Sequence, residues 1–451
     1  MRAIVIRTGR RIQPFDEAPG QALYAATTVE AAVVASLQRR GATVRFVDAD
    51  DAIDLAADGD SDGCVVLADH CFVSDKALGD FLGAAFDADA DACRLALART
   101  PSVDFALPLS SASIEPFDLD GSGAKPQTRG RYEAAATDRV AYDCFFVRTA
   151  PAQSASALLG FLRESARRIV VAKRELGIPL RLPTLGDGAQ PTQLIPITST
   201  LAVHVEHWVH ILWLNQAAFG VRWLELARAR TGWALWRLAT SAPWSLAAIT
   251  HRFVATGKNC RIHPTAWVEA SILGDNVSVG AGASVRNSIL GDNVTVGDHA
   301  TVLSSTLGNG VSVTPRTFVV WSAAYADAIL SNYKLQVSVI GRGASLSTWA
   351  GFIDAKLQGS VDVLHDGMLR STGRSFLGSC LGHGAHVGAK VLLLPGRAIP
   401  NGTFITMRED ELIRRIPEHL EPGVPHVRDQ GTLVPIQTAR AQAQKASAPS
   451  V

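Results

Sequence analysis

The opening of the chain alternates short apolar runs with polar ends. Residues 3 to 6 (Ala-Ile-Val-Ile) predict a strand, and "TTVEAAVVASLQRRGATVRFVDAD" predicts a helix, a stop at Gly41 and a second strand. "GCVVLADHCFVS" predicts a buried strand with a polar end, "KALGDFLGAAF" a helix, and "VDFALPL" and "YDCFFVRT" two more strands. Strands alternating with helices imply an α/β domain with a largely parallel sheet, whose ligands sit beyond the carboxyl ends of the strands.

Residues 204 to 255 break this pattern. They hold six of the nine tryptophans (Trp208, Trp213, Trp223, Trp233, Trp236, Trp244) at helical spacing. Glu206, Asn215, Arg222, Glu225 and Arg228 interrupt the segment before the roughly 20 apolar positions a membrane span needs. A helical connector between two domains is expected, with an interfacial helix as the alternative.

From residue 256 onward the pattern repeats. "SILGDNVSVGAGASVRNSILGDNVTVGDHATVLSSTLGNGVSV" aligns with itself at 17 residues: Gly257, Gly274, Gly291 and Gly308 share a column, as do Ile262, Val279, Val296 and Val313. Such a unit, with short apolar-polar sides and Gly-Asp or Gly-Asn corners, describes one coil of a solenoid. The corner glycines suit either a positive φ or crowded backbones. Further on, Leu381, Val387, Leu393, Ile399 and Ile405 recur at six. "REDELIRRIPEHL" predicts a charged capping helix, and the last residues are small and polar, as in a disordered tail. The predicted organisation is an α/β domain over 1–195, a Trp-rich connector over 196–255, a solenoid over 256–408, and a capping helix with tail over 409–451.

Composition narrows the functions. Lysine plus arginine number 43 against 42 aspartate plus glutamate, a balance without the field that draws in nucleic acid or an anionic membrane. The first residues lack the apolar stretch of a secretory signal, so a cytoplasmic location is expected. The six cysteines form no C-x-x-C pair, which argues against a zinc ribbon or a disulfide framework.

The second half resembles the left-handed parallel β-helix of the hexapeptide-repeat transferases, and most of all the carboxyl-terminal domains of sugar-phosphate nucleotidyltransferases and bifunctional N-acetylglucosamine-1-phosphate uridylyltransferases. The fold class implied is a Rossmann-like nucleotidyltransferase domain followed by that β-helix. "MRAIVIRTGRRIQP" is similar to the family's strand and phosphate loop, so Gly9, Arg10 and Arg11 are implied in phosphate binding, with Pro14 also matching. Backbone N–H groups and a basic side chain turned toward phosphate would do this work. The loop keeps one glycine where the family carries several, and an ordinary strand-to-loop turn is the alternative.

"VVLADHCFVS" resembles the family's strand that ends in a magnesium-binding aspartate, which implies Asp69 as metal ligand and Mg2+ as cofactor. A capping or solvent-facing aspartate is the alternative. The resemblance thus implies a sugar-1-phosphate nucleotidyltransferase whose small-molecule partners are a nucleotide and a sugar phosphate. An acyltransferase using a coenzyme A thioester is a second possibility, with His383 or His386 as general base, since the family's base position holds Gln336. A third is a non-catalytic nucleotide-sugar-binding or scaffold protein. The resemblance also implies a homo-oligomer built through the solenoid, a trimer among the options. His204, His207 and His210 in "HVEHWVH" recur at three but lack the H-E-x-x-H spacing of a helical zinc site, and are expected to form hydrogen bonds at the domain junction.

Overall fold

The apolar runs near the amino terminus form one mixed sheet in the computed structural model, which describes residues 1–55, 63–116, 138–173, 175–181, 192–240, 253–331 and 334–439. In chain order the elements are β1 (Arg2–Arg7), α1 (Val29–Gln38), β2 (Thr43–Asp48), β3 (Cys64–Ala68), β4 (Cys71–Val73), α2 (Asp75–Asp87), β5 (Ala92–Ala98), α3 (Pro101–Ala106), β6 (Ser113–Pro116), β7 (Asp138–Val147), α4 (Ala155–Ser165) and β8 (Arg167–Val171). The strand order is β2-β1-β3-β7-β5-β8, with β6 against one end of β7. β1 runs parallel to β2 and β3, whereas β7 is antiparallel to both its neighbours.

Side chains alternate across this sheet because successive Cβ atoms point to opposite faces. Val65 and Leu67 of β3 meet α1 and α2 on one face, and Val66 and Ala68 meet α4 on the other. Burial on both sides explains why these strands read as continuous apolar runs. Thr28 and Ser74 start α1 and α2 by accepting hydrogen bonds from Ala31 N and Ala77 N. "VDFALPL" differs from expectation: its first half belongs to α3, because Pro101 at the first turn presets a helical φ and needs no N–H partner.

After the sheet come a hairpin of β9 (Glu175–Arg181) and β10 (Thr192–Thr198), then β11 (Ala202–His204), α5 (Trp208–Ala229) and α6 (Thr231–Ala239). β11 pairs antiparallel with β4. The first half of α5 is buried all round, with Trp208 and Trp213 sealed in the same core as α1, α2 and the sheet. That core extends into the solenoid through Ala323, Tyr325, Val339 and Cys380. Asn215 ties α5 to Leu23 O and Ala25 N, and Gln216 donates to Trp321 O in the solenoid. None of the described helices is long and apolar enough to cross a membrane. Trp244 and the predicted disordered tail beyond residue 439 lie outside the described residues.

The repeat folds into a left-handed parallel β-helix with two eight-stranded sheets and one of five. Pairings such as Ser278↔Thr295 and Val285↔Val302 carry the 17-residue register, and Cys380↔Ala398 that of three sixes. Inward Val277, Val294 and Val311 stack in a second core. The corner glycines answer to crowding: a Cβ on Gly274 would lie 2.7 Å from Gly291 C and 2.8 Å from Asp292 N. The positive φ falls two residues later, on Asn276 (58°), Asn293 (58°) and Gly310 (70°). Between Phe352 and Cys380 the coils are interrupted by an insertion carrying an antiparallel hairpin, Asp362–His365 with Met368–Ser371.

The charged capping helix is not formed. Residues Glu409–Glu411 make a single 3-10 turn, and a hairpin of His426–Asp429 and Thr432–Pro435 follows. Pro417 stands inside the predicted helix, where it removes a backbone donor and clashes with the preceding turn.

Candidate functional site

The loop that follows β1 opens onto a cleft of about 810 Å³, lined among others by Arg10, Arg11, Ser111, Glu206, His365 and Arg370. Its walls come from both halves of the chain: the loop after β1, the segment after α3, and the solenoid hairpin. Gly9 turns the chain out of β1 at φ 71°, a backbone region that side-chain-bearing residues disfavour. A Cβ there would meet nothing within 4 Å, so conformation rather than space calls for glycine.

Asp69 continues β3, its N–H donating to Ile6 O at 2.9 Å. Its Oδ1 accepts from the Thr8 N–H at 3.2 Å and the Thr8 hydroxyl at 2.7 Å, which staples the arginine loop to the strand end. Arg10 Nη1 lies 2.5 Å from Glu206 Oε1. Glu206 also accepts from Ser111 N and Ser111 Oγ, both at 2.6 Å. Arg11 donates to Asp16 O at 3.1 Å. The structure therefore brings Gly9, Arg10, Arg11 and Asp69 to one edge of the sheet.

Behind the cleft lies a buried ionic cluster that sequence reasoning missed. Between Ala141 and Phe145 the register of β7 shifts against β5, and Asp143 sits at that irregularity. Its carboxylate accepts from Arg94 Nη2 at 3.1 Å and Arg163 Nη2 at 2.6 Å, and its N–H donates to His204 Nε2 at 3.0 Å. His70, the residue after Asp69, is fully buried with Nε2 3.2 Å from Asp143 Oδ2 and 4.0 Å from Glu206 Oε1.

Burial alone would push the His70 pKa down, but the Asp143, Asp69 and Glu206 carboxylates outweigh it and the net shift is upward. Burial likewise opposes ionisation of Asp143, yet His70 and Arg163 hold its carboxyl far below the ordinary range. His204 moves the other way: burial, with the positive neighbourhood of His70, lowers it to about 3. A neutral His204 accepts from Asp143 N at Nε2 and carries its proton at Nδ1, 3.3 Å from Ser111 Oγ. The hydroxyl of Ser111 donates onward to Glu206, so the chain of contacts runs from Asp143 to Arg10 at the cleft.

His70, Asp143 and His204 lie close enough to hold a metal ion, their ligand atoms within 4.8 Å of one another. The donor set does not fit one. Both Asp143 oxygens already accept from guanidinium groups, and the Nε2 lone pair of His204 takes the Asp143 N–H. A divalent ion there would sit beside Arg94 and Arg163, two fixed positive charges.

The other histidines of "HVEHWVH" do not share a helix face. His204 is on β11, His207 is the N-cap of α5, and only His210 is inside the helix. His207 accepts from Val209 N at Nδ1 and donates from Nε2 to Leu364 O of the solenoid hairpin, 3.1 Å away. His210 accepts from Glu206 N and donates to Pro108 O at 2.8 Å.

The two solenoid histidines lie in different settings. His383 is at the junction with the α/β half, its Nδ1 accepting from Arg342 N and its Nε2 3.3 Å from Glu17 Oε2. His386 is on the coil face beside Phe404, with Nδ1 2.7 Å from Ser345 Oγ. Neither lines the cleft at the sheet edge.

Comparison with known proteins reaches the solenoid. Residues 245–340 match the family model of the GMPPB C-terminal domain, from GDP-mannose pyrophosphorylase, a hexapeptide-type sugar nucleotidyltransferase. The solenoid is similar to a sugar-nucleotide pyrophosphorylase domain. The match spans less than half of the chain and does not extend to the α/β half. No curated protein matches the chain.

Proposed function

We propose that the protein binds a nucleotide sugar, or the sugar phosphate and nucleotide from which one is made, in the cleft at the carboxyl edge of the α/β sheet. The carrying observation is that Arg10 and Arg11, on the loop that Thr8 staples to the Asp69 strand end, line one cleft together with Arg370 of the solenoid. Ligands of parallel α/β sheets bind at this edge. The pyrophosphorylase-type solenoid supports the ligand class.

In the corresponding reaction a sugar-1-phosphate oxygen attacks the α-phosphorus of a nucleoside triphosphate and pyrophosphate leaves. Positioning and neutralisation of phosphate charge supply most of such catalysis. Arg10 and Arg11 would carry the charge. Asp69 would be the residue to hold a magnesium ion, which would supply further neutralisation of phosphate charge, but its carboxylate is nearly buried and is not among the residues that line the cleft. One feature favours a binding role without turnover: Glu206 already neutralises Arg10, and Thr8 occupies one oxygen of Asp69. The homo-oligomer belongs to the same reading, and the stacked column that exposes Trp267 and Phe318 is the solenoid face on which copies would meet.

The test is the melting temperature of the purified chain with GDP-mannose, UDP-N-acetylglucosamine, and nucleoside triphosphates plus sugar-1-phosphates, with and without Mg2+. A ligand at a hundred times its dissociation constant stabilises by about 2.7 kcal/mol, several degrees for a domain. A rise lost in Asp69→Ala supports the reading, and a panel without any rise refutes it. Pyrophosphate release then separates transfer from binding.

A further inference from the structure

The loop that carries Arg10 and Arg11 rests on the solenoid. Phe15, at its far end, packs on the rings of Tyr325 and His383, with centroids 5.0 and 4.8 Å away. Asn401 Nδ2 donates to Phe15 O at 2.8 Å, and Glu17 accepts from the Tyr325 hydroxyl. The coils thus hold the back of the loop whose front lines the cleft.

The opposite wall is also solenoid. The hairpin of Asp362–His365 and Met368–Ser371 turns at Asp366 (φ 49°) and Gly367 (φ 74°), the two positive φ values of a tight two-residue turn. Val363 and Arg370 are cross-strand partners and so share a face of the hairpin. Val363 is wholly buried in the core shared with the α/β half, which directs that face toward the junction, and Arg370 lines the cleft.

The hairpin is held in place from two sides. His207 donates to Leu364 O, and its ring stands edge-on to His365 at 5.3 Å. Just beyond the hairpin, the Arg374 guanidinium lies 3.9 Å from the ring centre of Phe105 and 4.7 Å from that of Trp213.

The charges lining the cleft are unequally spent. Glu206 takes Arg10, and Asp366 lies 3.5 Å from His365. Arg11 gives one N–H to a backbone carbonyl, and the Arg370 guanidinium has no hydrogen bond or ion pair among the described residues. Two guanidinium groups, one from each half of the chain, therefore line the cleft without a carboxylate of their own. Guanidinium is the side chain whose planar fork matches phosphate oxygens in pairs.

We propose that Arg370 of the solenoid and Arg11 of the α/β half form a two-armed clamp for a diphosphate group, so that the solenoid completes the ligand site rather than only framing it. This rests on the reading that the cleft takes a nucleotide sugar or its phosphate precursors. Arg11 holds the diphosphate from the loop side and Arg370 from the hairpin side.

Calorimetric titration of the full chain with inorganic pyrophosphate, and separately with GDP-mannose, tests the clamp. The variants are Arg370→Ala, Arg11→Ala, Arg370→Lys and, as a hairpin control, Leu369→Ala. Both arginine-to-alanine variants should weaken pyrophosphate binding by about tenfold or more, the loss of a charged hydrogen bond. Arg370→Lys should recover part of it, and Leu369→Ala should bind as the wild type does. Pyrophosphate binding that is absent in the wild type, or unchanged by Arg370→Ala, overturns the clamp. GDP-mannose binding equally to wild type and Arg370→Ala overturns the clamp but leaves the nucleotide-sugar reading standing. Pyrophosphate binding that depends on Arg370, with no nucleotide sugar bound, upholds the clamp and refutes that reading.

Discussion

The hydroxyl of Tyr325, on a solenoid coil, donates to the carboxylate of Glu17, in the loop of the α/β half 308 residues earlier. Tyr325 also accepts from Leu23 N at 3.2 Å, and the second oxygen of Glu17 faces His383. Burial first, and the Glu17 charge second, keep the phenol protonated and so a donor. The contact ties the repeat to the loop that lines the cleft.

Tyr325→Phe would leave a buried Glu17 oxygen without its hydroxyl partner while keeping the ring that packs on Phe15. Stability should fall by about 1–3 kcal/mol, the cost of an unsatisfied buried acceptor. Chemical denaturation measures it. A change near zero would mean that water or His383 replaces the hydroxyl.

Removing Asp143 should cost more. It is the shared acceptor of Arg94 and Arg163 and the neighbour of His70, so Asp143→Ala leaves buried positive charge uncompensated. Breaking such a group from one side destabilises by about 3–5 kcal/mol. Urea midpoints of the variant and wild type decide this, and a loss below about 1 kcal/mol would show the cluster to be well hydrated.

The histidines around α5 predict the acid limb of the stability curve. Burial lowers His207 and His204 to about 3 and also lowers His210. In the unfolded chain each titrates near the usual 6.5. Below about pH 6.5 the unfolded state therefore binds more protons, and stability falls on acidification by up to about 1.4 kcal/mol per pH unit for each histidine. Above pH 6.5 these three contribute no slope. The melting temperature should drop steadily from about pH 6.5 to pH 5, and His207→Asn should flatten the drop. A constant melting temperature over that range would contradict the buried neutral assignment.

How much of this was legible in the sequence depends on how local each signal was. The solenoid was readable because each coil repeats its neighbour, so the spacing of Gly274 and Gly291 carries the register directly. The strands of the sheet were readable from their apolar runs. Two elements were misjudged where proline overrode the pattern: α3, which Pro101 starts, and the predicted capping helix, which Pro417 blocks. Gly9 to Arg11 and Asp69 stand out in the sequence through a family resemblance, and in the fold they follow two adjacent strand ends, β1 and β3. His70, Asp143 and Glu206 gave no signal, since β3, the β7 irregularity and the residues after β11 meet only in the fold. Arg370 was hidden for the same reason, in an insertion that breaks the repeat.

The coil corners provide a test in which two glycines of one solenoid behave oppositely. Gly274 has no positive φ, but a Cβ there would strike the backbone of the next coil at Gly291 and Asp292. That backbone is locked by the Gly274 N–H to Leu290 O bond at 2.8 Å, so it has little room to yield. Gly274→Ala should cost about 1–3 kcal/mol as overpacking. Gly343 has the reverse problem, with φ at 62° and nothing within 4 Å of a Cβ. It stands in the column that Asn276 and Asn293 occupy at φ 58°, a backbone region asparagine tolerates. Gly343→Asn should therefore stay within about 0.5 kcal/mol of wild type. Equal losses from the two substitutions, measured by thermal denaturation, would refute the separation of crowding from conformation along the coil.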